Sequence, residues 1–111
     1  MTMIESAMSM VEVEQSGAVC FIRLNRPDAL NAFRPEMLDE LARLLGLIEK
    51  DLSIVVVILE GKGKAFSAGV DLKVLQGIDP KGGKVGDLFD EPARLAYTAI
   101  RDCRCPVIAK V

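Results

Sequence analysis

Three spacings of apolar residues divide the chain. In Val11-Glu12-Val13-Glu14 apolar and acidic residues alternate, as on a half-exposed strand. Ser16-Gly17 reads as a two-residue turn into Ala18-Val19-Cys20-Phe21-Ile22-Arg23-Leu24, so the two segments predict an antiparallel hairpin. Met37, Leu38, Leu41, Leu44, Leu45 and Ile48 recur at helical spacing. With Pro35 at the first helical position and Glu36 favouring the dipole, they predict a helix through about Lys50. Gly46 weakens that helix by about 1 kcal/mol relative to alanine. Ile54-Val55-Val56-Val57-Ile58-Leu59 does not alternate: six consecutive apolar residues, mostly β-branched, suit a strand covered on both faces of a parallel sheet. Pro92 opens a further predicted helix, with Ala96, Ala99, Ile100 and Cys103 on one face and Arg94, Arg101 and Asp102 outside. Val107-Ile108-Ala109-Lys110-Val111 begins a last strand after Cys105-Pro106, and the class is α/β.

Between these elements lie two breaks with chemical potential. Asn25-Arg26-Pro27-Asp28 interrupts the hairpin pattern, because Pro27 has no N–H for a ladder and holds Arg26 extended. After the apolar run, Gly61 and Gly63 relieve the backbone, and Gly69 permits a close approach or a positive φ. Asp71 suits the N-cap of a short helix through about Gln76, which places the Val70 N–H at the positive end of a dipole without an intrahelical partner. Gly77 to Glu91, rich in Gly, Asp and Lys, argues for a mobile surface connection, and residues 1–9 read as a flexible leader to a domain spanning 10–111.

Composition removes several functional classes. The chain has 111 residues, 14 Lys plus Arg against 16 Asp plus Glu, and a net charge of -2, which provides no basic footprint for nucleic acid. Its longest apolar run is far shorter than the roughly 20 residues that span a bilayer, and Met1 to Met10 lacks the cationic start of a secretory signal. The expectation is a cytoplasmic protein without membrane partners. Cys20, Cys103 and Cys105 are three in number, and no histidine exists to complete a zinc site, so buried free thiols are expected and no metal.

Two ordered motifs carry a resemblance. Leu24-Asn25-Arg26-Pro27-Asp28-Ala29-Leu30-Asn31-Ala32-Phe33 and, about thirty residues on, Ala65-Phe66-Ser67-Ala68-Gly69-Val70-Asp71-Leu72 closely resemble the crotonase superfamily, the enoyl-CoA hydratase/isomerase family. The agreement extends to Pro106-Val107-Ile108-Ala109 and so covers nearly all of the chain. It implies the N-terminal part of a crotonase-like (ClpP/crotonase) ββα spiral fold, whose family members are more than twice this length and form trimers or hexamers. By resemblance, the Val70 N–H is one of two oxyanion-hole amides that hold the thioester oxygen of an acyl-CoA as it becomes enolate-like. The positions Asp28, Ala29, Leu30, Ala32, Ala65, Ala68, Gly69, Val70, Asp71 and Leu72 then line the groove for coenzyme A. That coenzyme is part of the substrate, and no tightly bound cofactor is expected.

The residues also have plainer readings. On composition Leu30, Ala32 and Ala68 suit a core, Asp71 a helix cap, and Arg26 a surface salt bridge. Gly61-Lys62-Gly63-Lys64 lacks the spacing of a phosphate loop, which leaves Lys62 and Lys64 solvated or near a CoA phosphate. In the family, hydration uses two glutamates and a second oxyanion glycine from a segment beyond Val111, so the 111 residues alone are expected to be inactive or nearly so. Two residues depart from the family pattern: Cys105 stands where a Lys or another long side chain is common, and Lys110 where a small apolar residue is. Arg34 replaces the usual Ser or Thr cap. The leading reading is a lyase of acyl-CoA and fatty acid metabolism that hydrates 2-enoyl-CoA. The alternative is a non-catalytic acyl-CoA-binding or assembly module.

Overall fold

The computed structural model describes residues 10–71 and 85–111, with side chains from Phe89 onward in the second segment. The leader 1–9, Leu72 and the short helix through Gln76 lie outside the described residues. Strand β1 (Val11–Ser16) turns through Gly17 and Ala18 into β2 (Val19–Leu24), one residue later than the predicted Ser16-Gly17. Ser16 faces Val19 and Val11 faces Leu24, so Val11 and Val13 point to the same side as Cys20, Ile22 and Leu24. After a 3-10 turn at Pro27–Ala29 come α1 (Pro35–Glu49), β3 (Val56–Gly61), α2 (Val85–Arg101) and β4 (Val107–Lys110). The sheet order is β1-β2-β3-β4, with β2, β3 and β4 mutually parallel.

Both helices cover one face of this sheet. Met37, Leu41, Leu44, Leu45 and Ile48 of α1 and Ala96 of α2 meet Val11, Val13, Cys20, Ile22, Leu24, Val57 and Leu59 in a single buried cluster. Helix α2 starts at Val85, seven residues before the predicted start, and Pro92 lies inside it. Phe89 explains the difference: it is buried and stands seven residues before Ala96, so the apolar stripe already runs upstream of the proline.

The expectation of a strand covered on both faces is corrected among the described residues. Val57 and Leu59 are buried, whereas Val55 is 57% exposed and Val56 and Ile58 are half-buried. The uncovered face carries a charge ladder. Arg23 donates to Glu60 at 2.7 Å and to Glu14 at 2.6 Å, and Lys110 lies 3.7 Å from Glu60 in direct register across β3 and β4. Lys110 therefore sits in this strand without a buried charge, because it points to the solvated face.

The turn before β4 also closes α1. Helix α1 has no side-chain cap at Arg34, but at its other end Arg104 donates to the carbonyls of Ile48, Glu49, Asp51 and Ile54 at 2.8–3.4 Å. A cation at a helix C-terminus satisfies orphan carbonyls and complements the dipole. Among the described residues no helix is long and apolar enough to cross a membrane.

Candidate functional site

The two motifs of the sequence meet at the ends of β2 and β3. After Pro27–Ala29 the chain takes two consecutive left-handed residues, Leu30 at φ 52° and Asn31 at φ 54°. Asn tolerates this region far better than Leu does. The reversal drives the Asn31 side chain fully inside, where Nδ2 donates to Lys62 O at 2.9 Å and Ala65 O at 2.8 Å and Oδ1 accepts from the Arg26 N–H at 2.7 Å. Its carbonyl accepts from Ser67 Oγ at 2.8 Å. Every polar atom of that side chain is used, which is what a buried amide requires.

From there the segments run side by side. Ala68 N–H donates to Leu30 O at 3.0 Å, Phe33 N–H to Gly69 O at 2.6 Å, and Asp71 N–H to Phe33 O at 2.9 Å, forming a parallel bridge between Phe33 and Val70. The bridge fixes where the Val70 amide points. In a planar trans peptide the N–H is antiparallel to the preceding C=O. Since Gly69 O faces Phe33, the Val70 N–H faces away from it, and among the described residues it has no acceptor. Gly69, at φ 98°, supplies the backbone turn that an L side chain resists. Val70 is 44% exposed and Leu30 45%, so apolar surface flanks this amide.

Asp71 is 7% exposed, and its carboxylate lies 3.0 Å from Arg26 Nη2 and 3.8 Å from Arg34 Nη1. Arg26 also donates through Nη1 to Ala32 O at 2.6 Å. The proposed surface salt bridge of Arg26 is thus a half-buried pair, a partly exposed guanidinium on a buried carboxylate, joining the two motifs. Arg34 is shared with Glu36 at 3.4 Å. The Glu36 carboxyl is held below its usual range first by a backbone hydrogen bond at the helix start and then by Arg34 and Arg26.

The structure thus joins Leu30 to Ala68 and the Phe33 backbone to Gly69 and Asp71, with Ala32 tied to Asp71 through Arg26 and Ala65 tied to the first motif through Asn31, while no such bond joins Asp28 or Ala29 to the second motif among the described residues. Leu30 and Ala68 are exposed rather than core, Ala32 is buried at 9%, and Asp28 lies exposed on the 3-10 turn. Lys62 is exposed but pairs with Glu12 at 2.6 Å. Sequence reasoning assigned no role to Asn31, although an Asn directly before a small residue in a proline-started turn is a signal for a left-handed position. A cavity of about 230 Å³ lies beside this region at the ends of β3 and β4, lined by Gly61, Gly63, Lys64, Ala65, Phe66 and Lys110 among others.

Comparisons with known proteins converge on one group. The family model described as enoyl-CoA hydratase/isomerase matches residues 14–111. The chain is 36% identical over 99 residues to a probable enoyl-CoA hydratase of Rhizobium meliloti, spanning 89% of this chain and 37% of that protein. It is 41% identical over 97 residues to the mitochondrial enoyl-CoA hydratase of Pongo abelii, spanning 87% of this chain and 32% of that protein. Among solved structures, an enoyl-CoA hydratase/carnithine racemase from Magnetospirillum magneticum superposes with TM-score 0.83 at 36% identity over 92% of this chain and 38% of its own. The chain therefore spans about a third of the length of these relatives.

Proposed function

The chain belongs to the enoyl-CoA hydratase/isomerase family and has the crotonase fold over its matched length, and from that premise we propose that residues 26–71 form an acyl-CoA thioester site. The Val70 N–H is its oxyanion donor. The observation that supports this most directly is the direction of that amide, turned outward by the Gly69–Phe33 bond and flanked by exposed apolar side chains. The reaction is hydration of a 2-enoyl-CoA. Water adds at C3 and gives up a proton, the electron pair of the C2=C3 bond shifts toward the thioester oxygen and returns as C2 takes up a proton, and a donor placed at that oxygen stabilises the transition state more than the ground state. Leu30, Ala32 and Ala68 border the coenzyme, with Ala65 and Asp28 beside them.

Asp71 takes no part in proton transfer in this reading, because its carboxylate is committed to Arg26 and Arg34. No acid–base pair is assigned within the 111 residues. The isolated chain accordingly binds acyl-CoA and hydrates crotonyl-CoA far below the rate of a complete enzyme.

Val70→Pro tests the donor. It deletes an N–H that makes no internal bond among the described residues and leaves the Gly69 O and Asp71 N–H bonds available, so the bridge can survive. Ground-state acyl-CoA affinity by calorimetry should fall by up to about tenfold, the worth of one neutral hydrogen bond to the thioester carbonyl. Undiminished affinity in a folded variant would refute the assignment. Retained binding by the 111-residue chain without turnover, even when the chain is extended, would move the reading to a binding or assembly module.

A further inference from the structure

We infer that Arg26 and Asn31 are positioning residues for the Val70 donor, although neither lies at the place where a thioester oxygen would sit; this inference rests on the acyl-CoA reading of Val70. The amide is flanked by two hydrogen bonds to Phe33, one through Gly69 O and one through Asp71 N–H, so its direction is that of the Phe33–Val70 bridge. Two devices hold the bridge, one buried and one half-buried. On one side, Asn31 pins the turn before Phe33 to Lys62 O, Ala65 O and the Arg26 N–H. On the other, Arg26 spans from Asp71, the residue after Val70, to Ala32 O, the residue before Phe33.

A guanidinium suits this task because its fork reaches two acceptors in fixed geometry. Asp71 Oδ2 is 3.0 Å from Nη2 and Ala32 O is 2.6 Å from Nη1, so a single planar group ties both strands of the bridge. The strained pair at Leu30 and Asn31 fits the same account. Two left-handed non-glycine residues persist only where surrounding bonds over-determine them, and here those bonds run to the donor's own strand. Preorganisation of a donor is worth most when the charge it meets is still developing.

The test separates alignment from general damage by using two probes on the 111-residue chain. Acetoacetyl-CoA offers an enolisable thioester oxygen, whereas S-ethyl-CoA, a thioether, offers no carbonyl and binds only through the rest of the coenzyme. Wild type should prefer acetoacetyl-CoA and raise its enolate absorbance. In Arg26→Met and Asn31→Gly, the second of which keeps the left-handed backbone, the preference should fall about tenfold while S-ethyl-CoA affinity holds within twofold. Arg26→Lys serves where Arg26→Met does not fold. A lysine keeps the charge beside Asp71 but cannot reach Ala32 O as well, so the preference should lie between the two. Folded variants that keep the wild-type preference overturn the positioning role, and equal loss for both probes shows a structural role only. Absence of any preference in wild type overturns the Val70 reading itself.

Discussion

A methyl group on Gly61 would lie 2.4 Å from Ala65 O, 2.5 Å from Phe66 O and 2.7 Å from Asn31 Nδ2. Those atoms are backbone or a fully hydrogen-bonded side chain, so none can yield cheaply. Gly61→Ala should therefore destabilise the chain by about 1–3 kcal/mol, the usual range for overpacking, and part of the loss should come from the broken Asn31 bonds. Urea unfolding would register it, and a change under a few tenths of a kcal/mol would mean the crossing is loose. The need for glycine at Gly61 was legible in the sequence as a relief point, but its partner was not. Asn31 is 34 residues from Ala65, and a contact of that separation leaves no local period to read. The Arg26–Asp71 pair was hidden for the same reason. Each residue alone suggested a surface charge and a cap, and only the parallel bridge between Phe33 and Val70 brings them within 3.0 Å.

Elements were easier to read than their ends and faces. Helix α1 follows its apolar spacing closely, since five of the six expected positions are buried and Leu38 packs against the same cluster. Helix α2 starts upstream of the proline that predicts its start, because an amphipathic stripe that includes Phe89 can outweigh one missing N–H. The apolar run around Val57 was read as doubly covered because Val and Ile look alike on a buried face and on an open one; the register with Phe21 and Ile108 shows which half is open. Gly46 offers a clean test of α1. A Cβ there meets nothing within 4 Å and the position is exposed in the last turn of the helix, so only backbone entropy and propensity change. Gly46→Ala should stabilise the chain by about 0.5–1 kcal/mol. Thermal melting would show a rise of a few degrees, and a fall would mean that the glycine is held by a contact across that face.

At the scale of the whole molecule, one sheet carries two unlike surfaces, and the covered one gives the fold an alkaline pH response. Cys20 lies at the centre of that cluster, fully buried on β2, with Cys105 and Asp51 near it. Burial pushes its thiol up to about 11, and the negative charges of Asp51 and an ionised Cys105 push in the same direction. An unfolded cysteine titrates near pH 9.0. Below that pH both states hold the proton and the thiol's contribution is complete. Between about 9 and 11 the unfolded chain has released it while the native chain keeps it, so the native state binds more protons and stability falls as pH rises. The loss should amount to something of order 1–2 kcal/mol at pH 10.5, set against a core with few other groups that titrate there. Cys20→Ala isolates the thiol. Its denaturant midpoint should decline less steeply from pH 8 to pH 10.5 than that of the parent chain, even though it starts lower for the lost packing. Parallel declines would place the proton elsewhere.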